Sequence, residues 1–144
     1  MPKPENILIS LSLRHAENIL AGTKRVELRR RNMNIDPGAT VWMYVKLPVG
    51  SIIGQFRVGA IHAGAPAALW RRFGSVSGLS RAEFFEYFSG VTRGVALVLG
   101  DSRRLTQQLS LQALRAIDGQ FQPPQFFRRL EQGLPLLEAI EADG

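Results

Sequence analysis

The chain predicts an α+β fold, a small and mostly antiparallel β-barrel with short helices laid across its openings. Three observations carry that expectation. Strand-like runs, alternating or rich in β-branched and aromatic residues, recur between residues 7 and 105 with only short helical stretches between them. Turn formers such as Asp36-Pro37-Gly38 follow closely enough to give hairpin-like spacing between the second, third and fourth strands. Within the longest strand, Gly54 and Gly59 mark bulges or bends that let a sheet curl.

Each element has a local reason. Residues 7–13, ILISLSL, alternate apolar and hydroxyl side chains and form the first strand. A helix over 14–21 follows, with Ala16, Ile19 and Leu20 as its stripe and Gly22 as its stop, and is expected to pack at the barrel opening. A basic strand spans 24–31. The third strand, TVWMYVKLP, is β-branched and aromatic until Pro48 ends it, and residues 51–64 make the long fourth strand. Pro66 suits the first position of a helix over PAALWRRF, and Ser80 with Glu83 forms a capping box for SRAEFFEYF. The apolar run in residues 93–105 returns to strand, with burial on both faces. Residues 110–117 read as a short amphipathic turn or helix, the stretch after Pro123-Pro124 as extended, and LPLLEAIEA as a closing helix. The expected core is Val26, Leu28, Val41, Met43, Val45, Ile53, Phe56, Ala96, Val98 and Leu99; Val98 and Leu99 cannot share a face, so some of these must meet the covering helices. With 144 residues and no linker or repeat, one domain over 1–144 is expected, with its core at about 7–130 and an acidic C-terminal helix over 131–144.

Charge narrows the function classes. The formal net charge is +6, but residues 1–130 hold all 18 Lys and Arg against eight Asp and Glu, a net +10. Arginine dominates, and guanidinium groups suit bidentate phosphate contacts and stacking on bases, which points toward nucleic acid. The chain has no cysteine, which excludes disulfides, zinc–thiolate sites and a Cys nucleophile. His15 and His62 are the only histidines; they read as structural, and no third ligand completes a metal site. No phosphate-binding glycine motif is present, so no nucleotide cofactor is expected. The N-terminal run lacks an apolar signal core and no stretch has the length of a membrane span, so a soluble, cytoplasmic protein without membrane partners is expected.

The segment AGTKRVELRRR, residues 21–31, is the sharpest functional feature. Strand alternation puts Arg25, Glu27, Arg29 and Arg31 on one face and Val26 and Leu28 on the other. One carboxylate within a basic cluster beside a glycine turn can hold a phosphate or a polar base edge. The competing reading is a solvated edge strand whose charges prevent aggregation. Among aromatic side chains, Tyr44 shares strand parity with Trp42 and is a candidate for stacking on a base, while Trp70 and Tyr87 are the surface candidates on the helices. The doublets Arg71-Arg72, Arg103-Arg104 and Arg128-Arg129 would track a phosphate backbone if they shared a face. Ser75 and Ser77 have no nucleophile-elbow context and are given no role beyond flexibility.

The run ILISLSLRHAENILAGTKRVELRRR resembles the start of an ASCH domain, a branch of the PUA-like superfamily of small β-barrels, whose signature is Gly-x-Lys-x-x-Glu-x-Arg after a short helix. Gly22, Lys24, Glu27 and Arg29 fall on it. The resemblance continues through VWMYVKLPVGSIIGQF, the Leu69-Trp70 helix, EFFEYFSG and PPQFF, covering roughly residues 7–130. It implies RNA binding or a transcription-related regulatory role, and in a few relatives hydrolysis, by an amidohydrolase of acetylated cytidine or by a ribonuclease. The chain also departs from the pattern. Relatives often carry Lys-Pro-Glu where Ser12, Leu13 and Arg14 stand, so a basic residue at the barrel mouth is either missing or replaced by Arg14. A small hydroxyl residue usually follows Pro-Pro-Gln, where this chain has Phe126. The amidohydrolase's threonine nucleophile lies three residues after the lysine, at Glu27 here, and a carboxylate cannot do that alkoxide chemistry. The expected partner is therefore RNA, single-stranded nucleic acid or a modified nucleoside, captured in a basic barrel-end cleft. Lys24, Glu27, Arg29, Arg31, Arg14, Tyr44, Arg103, Arg104 and Gln125 are the expected contacts. The alternative is a small hydrolase in which Lys24 and Glu27 carry the chemistry.

Overall fold

The chain's alternating runs become β1 (Asn6–Leu11), β2 (Val26–Arg29), β3 (Thr40–Val45), β4 (Ser51–Gly64), β5 (Gly94–Ser110) and β6 (Phe127–Arg129) in a computed structural model that describes residues 4–142. The helices are α1 (Leu13–Ala21), α2 (Pro66–Phe73), α3 (Arg81–Tyr87), α4 (Leu111–Ile117) and α5 (Pro135–Ala142). The last two residues of the expected acidic helix, 143 and 144, lie outside the described residues. Among the described residues no helix is long and apolar enough to cross a membrane.

The strands form one curled sheet in the order β2-β5-β4-β3-β1-β6, a half-barrel in which β1 and β3 are parallel and the other pairs antiparallel. The register of β4 against β5 slips at Ile52/Gly54, Phe56/Val58 and Val58/Ala60, and such bulges bend the ribbon around. The expected hairpin from the second strand to the third is absent, because β2 pairs with β5. Residues 30–39 instead cross as a packed loop, burying Met33 and Ile35 in the core beside Ile7 and Val41. β5 also outruns its expected end at residue 105, and its outer half is mostly exposed, so two-sided burial holds only for its first half.

Both faces of the central strands are covered. Ile7, Ile9, Val41, Met43, Val45, Ile53 and Phe56 pack inward against α1, while Leu8, Trp42 and Tyr44 face the opposite way onto Phe121, α4 and α5. A third cluster joins Val26, Leu28 and Ala96 to α2 and α3. Val98 and Leu99, only partly buried, split between the third and first clusters as their parity requires. Truncating one of the fully buried leucines or isoleucines costs about 2–5 kcal/mol.

Two caps aim the chain toward the site. Ser12 caps α1, and Gly22 ends it at φ 84°, a left-handed position that favours glycine. The amides of Thr23 and Lys24 then both donate to Asn18 O at 3.0 Å, which turns Lys24 inward. The Ser80–Glu83 capping box forms at the start of α3 as the spacing predicts.

Candidate nucleic-acid interface

A half-barrel leaves a seam between its edge strands, here β2 and β6, and the seam holds a cleft of about 580 Å³. The end of β1, the first turn of α1, β2 with residues 30–33, Tyr87 of α3 and residues 125–127 supply its walls. β2 is an edge strand, as the aggregation-blocking reading requires, but it is not a solvated one. Glu27 is buried, and Tyr87 Oη donates to Leu28 O at 2.8 Å, occupying part of the free edge.

Lys24 is buried just before β2, and its ammonium donates to the Ser77 carbonyl. Gly78 lets that loop close over the lysine: its φ is 74°, and a Cβ there would stand 3.4 Å from the Lys24 side chain. Ser77 is thus a fully buried anchor and not the flexible residue expected; its hydroxyl donates to Gly74 O at 2.8 Å and accepts from Leu79 N at 3.2 Å. Burial lowers the pKa of Lys24 below its ordinary 10.5; Glu27 opposes that shift, and Arg14 and Arg29 add to it.

Glu27 and Arg29 line the cleft together, as alternation predicts, whereas Arg25, expected on the same face, precedes β2 and does not line it. Arg29 Nη2 donates to Glu27 Oε2 at 2.8 Å, and Nη1 reaches across the seam to Phe126 O at 3.1 Å. One guanidinium therefore holds the carboxylate and clips the two edges together. Among the described residues, Arg29 Nε and His15 Nδ1 are buried polar atoms without a protein partner. Burial, with Lys24 nearby, lowers the pKa of His15 below 6.5, so the ring is neutral at pH 7. Tyr87 is shifted upward by burial and then by Glu27, which keeps its hydroxyl protonated. Arg30 spans Tyr87 O and Ser89 O at 2.7 and 2.9 Å, and Arg31 lies over the Phe126 ring with Cζ 4.2 Å from its centroid.

Of the residues expected at the site, Lys24, Glu27, Arg29, Arg31 and Gln125 line the cleft. Arg14, Tyr44, Arg103 and Arg104 do not. Arg14 braces α1 to α3 through Glu83, at 2.6 Å, and donates to Gly78 O at 2.8 Å, so it supports the loop that holds Lys24. Tyr44 is buried on the opposite face of the sheet with Phe121, because both faces of β3 are covered and strand parity cannot tell them apart. Arg104 pairs with Glu17 at 2.7 Å, and Arg103 stands opposite Gln55 on the β4–β5 ribbon. Arg128 and Arg129 are engaged by Asp118 and Glu5. Trp70 packs into the aromatic cluster of α2 and α3. Sequence reasoning missed His15, Lys46 and Phe126 as lining residues. The lining holds five Lys and Arg side chains against one carboxylate. Among the described residues no group of three His, Cys, Asp or Glu is placed to hold a metal ion.

No family model matches the chain. It is 35% identical over 125 residues to the ASCH domain-containing ribonuclease of Zymomonas mobilis, an alignment covering 87% of this chain and 84% of that protein. A crystal structure of the ASCH protein from Zymomonas mobilis superposes with a TM-score of 0.89 at 32% identity over 96% of both chains. Human THYN1, crystallised with DNA containing 5-methylcytosine, superposes with a TM-score of 0.54 at 10% identity over 96% of this chain and 97% of that one, a likeness of fold.

Proposed function

The chain belongs to the ASCH domain family, and from that premise we propose that it captures an unpaired nucleotide of RNA in the seam cleft and cuts the RNA there. The observation that carries the proposal is the make-up of the cleft: five cations around one carboxylate, in a space of about 580 Å³. That volume suits a nucleoside, and a wall that joins Leu11, Leu28, Met33 and Leu79 to charged and polar side chains suits a base with its phosphate. A base inside a duplex cannot enter such a cleft without leaving its stack, so a single strand is the substrate. Cleavage is supported by the name of the Zymomonas relative, a ribonuclease.

In the reaction, the RNA 2′-oxygen forms a bond to phosphorus and the bond from phosphorus to the 5′-oxygen breaks, leaving a 2′,3′-cyclic phosphate. Lys24 and Arg29 oppose the charge that builds on the non-bridging oxygens. Among the described residues Glu27 Oε1 has no hydrogen-bond partner while Arg29 holds Oε2, so Oε1 receives the 2′-hydroxyl proton, and water protonates the departing 5′-oxygen. The second reading is capture without cleavage, favoured by the same Arg29 contact, because a carboxylate tied to a guanidinium at 2.8 Å is positioned to accept from a base edge as well as to take a proton. An amidohydrolase remains disfavoured, since Glu27 stands where that chemistry needs a threonine.

End-labelled single-stranded RNA tests the proposal. Cleavage to 2′,3′-cyclic phosphate ends, abolished by a 2′-deoxy substitution at the cut, is expected. Binding whose log–log salt slope is about 0.7 per phosphate contacted, without turnover, leaves the capture reading. No binding at low salt contradicts both.

A further inference from the structure

Phe126 is at odds with the other phenylalanines of the chain. Seven of the eight are buried or half-buried, whereas Phe126 is 57% exposed at the mouth of the cleft. An exposed aromatic ring would ordinarily rotate freely, but this one is held twice. Its carbonyl oxygen accepts from Arg29 Nη1 at 3.1 Å, which ties the backbone to the Glu27–Arg29 pair inside. Its ring lies under the Arg31 guanidinium, whose Cζ is 4.2 Å from the centroid. Arg31 has no carboxylate partner among the described residues. The mouth therefore presents a planar aromatic ring with an uncompensated cation over one face, on a residue that is 57% exposed, which leaves the other face for a base.

We propose that Phe126 is a stacking platform for the base adjacent to the captured one, with Arg31 holding the phosphate that joins the two. The inference rests on capture of one nucleotide in the cleft and extends the footprint to two. Aromatic platforms tolerate any base, because every base has a π-face, so this position adds affinity and strand orientation without sequence preference. It also separates the roles of the two arginines. Arg29 acts inside with Glu27, and Arg31 acts outside with the ring.

Dinucleotides carrying a 2′-fluoro group, which removes the attacking hydroxyl, test this by fluorescence titration. One set carries 2-aminopurine as the second base, placed 3′ or 5′, and a matched set is abasic at that position. Wild-type protein is expected to bind one aminopurine isomer about tenfold to a hundredfold more tightly than its abasic match, with quenched fluorescence. In Phe126→Ala that ratio falls below about twofold and the quench is lost, while Phe126→Trp retains both. A wild-type ratio near one, or a Phe126→Ala variant that weakens both ligands equally and keeps the ratio, overturns the platform; the second result makes Phe126 a wall of the cleft. Failure of wild type to bind even the abasic dinucleotide overturns capture and platform together, whereas abasic binding with no gain from the second base overturns the platform alone.

Discussion

Glu27 with Arg29 and Glu83 with Arg14 are the same two side-chain types, 2.8 and 2.6 Å apart, in opposite surroundings. The side chains of the first pair are 7% and 14% exposed, those of the second 43% and 51%. The outer pair is screened by water and braces α1 against α3. The inner pair sits beside a second buried cation, Lys24, where each charge pays for its desolvation and losing the one carboxylate strands both cations. Charge that is costly to keep inside a fold marks this cleft as the candidate binding site.

Breaking the inner pair gives the largest expected effect. Glu27→Gln leaves Arg29 and Lys24 uncompensated and should cost about 3–5 kcal/mol in denaturant unfolding. Glu83→Gln, at the exposed pair, should move the midpoint far less. If the two losses are equal, burial does not distinguish the pairs.

Lys24 separates stability from binding. Lys24→Met should lower affinity for single-stranded RNA by about one to two decades, the worth of one charge-assisted hydrogen bond, about 1.5–3 kcal/mol. Its stability should hold or rise at pH 7, because burial disfavours the ammonium in the folded state. The folded pKa lies below the unfolded 10.5, so between the two the unfolded chain binds more protons and wild-type stability rises with pH. That rise should vanish in Lys24→Met, as followed by melting from neutral pH toward 10.

The smallest effect belongs to the outer pair. The Arg14 hydrogen bond, then the Ser80 amide, hold the Glu83 pKa at about 2 against an ordinary 4.5. The stabilisation this gives is present above 4.5 and is lost as pH falls toward 2. Glu83→Gln should flatten that part of the acid limb; an unchanged limb would assign the acid loss elsewhere.

Local features were legible in the chain. The Ser80–Glu83 capping box, Pro66 at the head of α2 and the Gly22 stop act within a few residues and form as read. Alternation put Glu27, Arg29 and Arg31 at the cleft but failed for Arg25, which precedes β2 and lies outside the lining; Val26 and Leu28 pack toward α2 and α3, with Leu28 also reaching the cleft wall. Long-range choices were not legible. β2 pairs with β5, and Met33 and Ile35 bury in the core as the chain crosses to β3, neither of which a turn signal announces. Tyr44 has the parity of a ligand contact, yet lies under Phe121 because α4 and α5 close that face of the sheet. Ser77 serves through its backbone carbonyl, which side-chain identity cannot reveal.

Charge reversal at exposed positions tests the cleft most directly, because it leaves the buried cluster intact. Arg31→Glu with Lys46→Glu changes the cleft mouth, and Arg57→Glu with Arg93→Glu makes the same change in net charge at exposed arginines outside the cleft lining. Affinity for a labelled single-stranded RNA should fall by more than about tenfold in the first variant and by less than about threefold in the second. Equal losses in the two variants would mean that RNA follows the overall charge of the protein, and would contradict capture in the cleft.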